Sequence, residues 1–219
     1  MPGVLRRING TKIVNPIKAT ILERLRTIGG PLEPLVAVCE RYLHYCSAID
    51  LDETLMIGHQ PWRGPEAYAM RIFPPARKSW FSKYSSIHGL KIPSDYKAIL
   101  SAANGVAVLG LSLFGIPPSM VATPPLLDRS RAQCLDIGSA NAYWKTGFPG
   151  QKERFHFGGR HYSDTQNSGY FSDRQGKIIA VLKTGEVVGE WSDFQSFFTD
   201  ELLATERYEM SQTPNEWWH

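Results

Sequence analysis

"KIPSDYKAILSAANG", residues 91–105, marks both ends of a helix in its own letters. Pro93 and Ser94 suit a first helical turn, and Asp95 sits where the helix dipole favours an anion. Tyr96, Ile99, Leu100 and Ala103 recur at i, i+3, i+4 and i+7, so they form one buried stripe. Asn104-Gly105 then supplies residues that tolerate positive φ, and the chain can turn sharply. Directly after the turn comes "VAVLGLSLFG", nearly all apolar. Residues 106–114 read as a single strand buried on both faces or nearly so, ended by Pro117-Pro118.

Upstream of that unit the chain reads as helical. "NPIKATILERLRTIGG" has Asn15 as a cap, Pro16 at the first helical position and Ile17, Ile21, Leu25 and Ile28 at helical spacing. "PLEPLVAVCERYLHYC" reads as a second helix, joined to the first through a Gly-Gly-Pro turn as a helical hairpin. Residues 50–76 hold four of the chain's fifteen prolines with no sustained period, so they read as a linker or a loop with one short strand, "AYAMRIF". "RKSWFSKYSSIHG" reads as a helix with Trp80, Tyr84 and Ile87 on one face, ended by His88-Gly89.

Downstream the rhythm changes. "LDIGSANAYWKTG" suggests a short helix from Ser139, and "RFHFGG" a strand ended by two glycines. Residues 168–191 hold three β-rich runs separated by "SDRQG" and "KTGE", which predicts an antiparallel meander with Gly176 and Gly185 in the turns. The last helix opens at "SDFQSFF", with Ser192 and Gln195 as a capping box and Phe194, Phe197, Phe198 and Leu202 as its apolar face.

The order "IPSDYKAILSAANG", an apolar strand ending "LFG", "LDIGSAN", "FHFGG", "GYF", "KIIAVL", "EWSDFQSFF" resembles the SUKH superfamily, which includes a yeast cell-wall regulator and many bacterial immunity proteins. Ile92-Pro93, Asp95-Tyr96 and Asn104-Gly105 match its central helix motif, and Phe157-Gly158 and residues 191–198 match later ones. The match covers roughly residues 75–205. The resemblance implies an α+β fold, with helices packed on a curved, mostly antiparallel sheet. Residues 1–70 then form an N-terminal helical extension, and 71–219 form the SUKH-like domain. It further implies a binding protein that neutralises a cognate protein toxin, often a nuclease, by direct contact. A regulatory scaffold is the alternative, and a nucleic-acid binder a more distant one.

Composition agrees with a folded binding protein. The chain has 219 residues, 42% hydrophobic and 21% charged, enough for a real core. A net charge of +3 argues against a dedicated nucleic-acid binder. Three cysteines make no disulfide framework, which fits a reducing, cytoplasmic setting. "MPGVLRRING" lacks the apolar core of a signal peptide, and the longest apolar stretch is too short to span a bilayer.

No chemistry announces itself. There is no phosphate-binding Gly-Lys-Ser/Thr loop, no His-Glu-x-x-His and no nucleophile elbow. An enzyme is therefore not expected, and neither a cofactor nor a metal. Cys39, His44 and Cys46 are near in sequence but two turns apart on a helix, so buried core cysteines are the better reading. His156 and His161 flank "FGGR" and would converge only if the glycines made a turn. Trp144, Tyr170 and Trp191 are read as core more readily than as contact aromatics.

Two surfaces are candidates for the partner. The loop "GGRHYSDTQNSG" is long and polar, and offers Arg160, His161, Tyr162 and Asp164. The closing helix is acidic, and offers Asp200 and Glu201 as a mimic of nucleic acid against a toxin's basic groove. The plainer reading of those acids, and of the basic stretch 71–97, is two solvated helix faces.

Overall fold

A computed structural model of the chain describes residues 16–122, 133–161 and 167–212. These residues form an α+β fold: seven α-helices on an open, wholly antiparallel sheet of nine strands. The strands are β1 (Ala48–Ile49), β2 (Leu55–His59), β3 (Tyr68–Ile72), β4 (Val106–Val108), β5 (Leu111–Leu113), β6 (Phe155–Arg160), β7 (Ser168–Ser172), β8 (Ile178–Leu182) and β9 (Val187–Trp191). Each pairs with its neighbours in sequence, so the sheet is one continuous meander.

The helices α1 (Pro16–Thr27) and α2 (Glu33–Tyr42) precede the sheet, and α3 (Lys78–His88) and α4 (Ser94–Ala102) lie between β3 and β4. The short α5 (Pro118–Val121) and α6 (Ile137–Ala142) lie between β5 and β6, and α7 (Phe194–Gln212) follows β9. One face of the sheet buries Ile57, Met70, Val108, Leu111, Phe157 and Tyr170 under α1, α2, α4 and α7. The opposite face is covered over β6–β8 by α6 and Phe148, which pack on His156, Phe171 and Ile179.

The boundary between residues 70 and 71 falls inside β3, and Ile21, Leu35 and Cys39 share one core with Tyr96 and Phe197. The first seventy residues thus supply two helices and most of three strands to the same layers. One of those strands, β2, lies in the stretch 50–76 at a place that reads from sequence as irregular, and the short strand read at "AYAMRIF" is β3.

The stretch 91–105 explains itself through hydrogen bonds. Tyr96, Ile99, Leu100 and Ala103 are all buried. The Tyr96 hydroxyl donates to the carbonyl of Phe114 at 2.6 Å and lies 2.9 Å from that of Phe157, where β5 and β6 separate. Asn104 is buried and acts as an extra strand residue. Its Nδ2 donates to Ile116 O at 2.7 Å, and its Oδ1 accepts from Ile116 N at 2.9 Å. The helix therefore fixes where the sheet begins its next pair. Leu100 is fully buried, so Leu100→Ala is expected to cost about 2–5 kcal/mol, read as a lower midpoint in a denaturant melt at unchanged m-value.

Residues 106–114 are two strands and not one. Val106 pairs with Leu113 and Val108 with Leu111 across a two-residue turn at Leu109-Gly110. Both turn residues take positive φ, 50° and 92°, which suits the twist of a tight hairpin. Ala107 and Ser112 are only partly buried, so the expected two-sided burial gives way to alternation.

"RFHFGG" does not end at its glycines either: β6 continues through both to Arg160. A Cβ on Gly158 would lie 2.6 Å from Ser112 O, so the glycine permits close strand approach and makes no turn. The meander over 168–191 is as expected, with Gly176 and Gly185 at φ 88° and 91°.

Three helix details differ from the sequence reading. Along α3 the buried face is Trp80, Phe81 and Tyr84, while Ile87 on the last turn is exposed. Helix α6 starts at Ile137, because the Asp136 carboxylate accepts from Gly138 N and Ser139 N. Helix α7 is capped by Asp193, whose Oδ1 accepts from Ser196 N at 2.8 Å, and not by Ser192 with Gln195.

Candidate functional site

The strand pairing gathers four connections at one end of the sheet. These are residues 60–67 between β2 and β3, 109–110 between β4 and β5, and 183–186 between β8 and β9, with His161 and Asn167 as the described ends of a fourth between β6 and β7. The end of α2 and residues 43–47 reach the same rim, since His59 N donates to Cys46 O at 2.9 Å. Loops presented side by side on a paired sheet are held as a platform.

Helix α7 runs back from β9 to this rim and is fastened by three carboxylate–arginine pairs. Glu201 accepts from Arg160 Nη1 at 2.8 Å and also from the Tyr170 hydroxyl. Glu206 takes Arg41 of α2 in two parallel bonds of 2.9 and 2.6 Å. Glu209 accepts from Arg63 Nη2 at 2.9 Å and from Gln60 Nε2 at 3.2 Å. Two-point arginine–carboxylate contacts fix direction as well as distance. The three arginines come from β6, α2 and the β2–β3 connection, so α7 ties distant parts of the sheet together.

This overturns the reading of α7 as a solvated acidic face. Glu201, Glu206 and Glu209 are buried. They continue the apolar stripe of Phe194, Phe197, Phe198 and Leu202 at helical spacing, and that phase was the available signal. Asp200 is exposed and accepts from Trp191 Nε1 at 3.0 Å.

The other sequence candidates fall in different places. Arg160 ends β6 and faces Glu201, so reversing either charge would report on folding and not on a surface. His161 is exposed at the rim, with its N–H donating to Gly110 O at 3.0 Å. Tyr162 and Asp164 lie outside the described residues. Tyr170 is fully buried and Trp191 packs partly buried against Phe197, but Trp144 is 41% exposed, with an edge on Phe114.

His156 and His161 do not converge. They sit at opposite ends of β6, and His156 is 2% exposed, stacked on Phe171 at 4.4 Å. Burial pushes its pKa down to about 4 despite the contact of Nδ1 with Ala140 O at 3.4 Å. Cys39 points into the core, with Sγ 3.5 Å from Met70 Sδ, whereas Cys46 is exposed, contrary to its core reading. Among the described residues no three His, Cys, Asp or Glu side chains gather as a metal site.

A second polar junction joins α3 to α6. Burial raises the Asp136 carboxyl, but hydrogen bonds from Ser139, Tyr84 and the backbone N–H of Gly138 and Ser139 outweigh it and lower the pKa. Its partners leave the carboxylate fully occupied as a structural clasp. The aromatic residues Tyr45, His59, Trp62 and Tyr68, which sequence reasoning did not single out, are partly exposed at the rim. For His59, Trp62 and Tyr68 the only sequence signal was aromatic content within a proline-rich stretch, and Tyr45 sat near the end of the second expected helix.

No protein-family model matches the chain, no curated protein matches it, and no solved structure matches it. Among the described residues no helix is long and apolar enough to cross a membrane.

Proposed function

We propose that this chain is a SUKH-type binding protein that neutralises a cognate protein toxin, of nuclease type, by occupying its working face. The observation that carries this reading is the rim. Three connections, the described ends of a fourth and the end of α2 stand side by side on a paired sheet, braced by the three carboxylate–arginine pairs of α7. The side chains of the central motif support it from the other direction. Tyr96 and Asn104 are spent on backbone groups of the sheet, so they serve the platform. An inhibitor of this kind buries on the order of 1,600 Å² in total and works by complementarity without a covalent step.

The test is the product of the gene immediately upstream in the native host. Co-expression of this chain is expected to protect cells from that product, and the two purified proteins are expected to co-elute. His161→Glu and Asp200→Lys change exposed side chains, so each is expected to move stability by less than about 0.5 kcal/mol. Of the two, His161→Glu lies on the rim and is expected to slow association in a salt-dependent way, measured by stopped flow. An upstream product that neither harms cells nor binds the chain removes the toxin reading.

A further inference from the structure

We draw no further inference here: the strongest candidate, the outer edge of β9 at the end of the open sheet, where Val187 and Val188 are exposed, carries nothing because no feature of the structure shows what covers it.

Discussion

Glu201→Ala is expected to destabilise the protein by about 3–5 kcal/mol, the range for removing one partner from a buried ion pair. The cost comes from the groups left behind. Arg160, with its side chain 17% exposed, would lose the carboxylate of Glu201, and the fully buried Tyr170 hydroxyl would lose its bond to the same group. Glu201→Gln retains an acceptor and is expected to cost less. The double variant Glu201→Leu with Arg160→Met removes both charges, and it is expected to recover much of the loss. Urea melts of the four proteins check this. A single Glu201→Ala variant within about 0.5 kcal/mol of wild type would show that the pair contributes little.

Acid should weaken the protein through His156. The folded state holds this imidazole neutral down to about pH 4, whereas the unfolded chain protonates it near its ordinary value of 6.5. The folded pKa is the lower one, so the unfolded state binds the extra proton between these values. Stability is full above pH 6.5, falls as the pH drops towards 4, and is level below that as far as this group is concerned. The span corresponds to about 3 kcal/mol at about 1.4 kcal/mol for each pH unit. His156→Phe keeps an aromatic ring against Phe171 and removes the titration, so its stability should be flatter across this window. Denaturant midpoints from pH 4 to pH 7 decide it. Equal slopes for wild type and variant would remove His156 as the cause.

The sequence discloses those elements whose ends are marked by side-chain chemistry. Helix α4 is legible because its stripe and both of its ends lie within fifteen residues. The 168–191 meander is legible because Gly176 and Gly185 stand where tight turns need them. The β4–β5 hairpin is hidden because Leu109 has no turn signature, and an unbroken apolar run looks like one strand. The pair Gly158-Gly159 misleads in the opposite sense, since close strand approach and a turn ask for the same residue. On α7 the charge of Glu201, Glu206 and Glu209 outweighed their phase, although phase decides which way a helical side chain points. Of the rim, His161 was visible from the length and polarity of the stretch it stands in, although Arg160 beside it belongs to β6. The aromatic residues around Trp62 were not, because β2 is five residues long and sits beside prolines, and only β3 of that pair was legible.

The position of α7 in the chain sets a timetable for synthesis. Strands that pair only with their sequence neighbours can join the sheet as they emerge, since every new partner is already present. Arg41, Arg63 and Arg160 are all made before the carboxylates that neutralise them. Until α7 docks, the chain therefore carries its sheet with part of one apolar face uncovered and three waiting cations. Maturation becomes a single late event, the docking of one helix. A chain held before that step is sticky, positively charged at three points and open to whatever acidic surface it meets first.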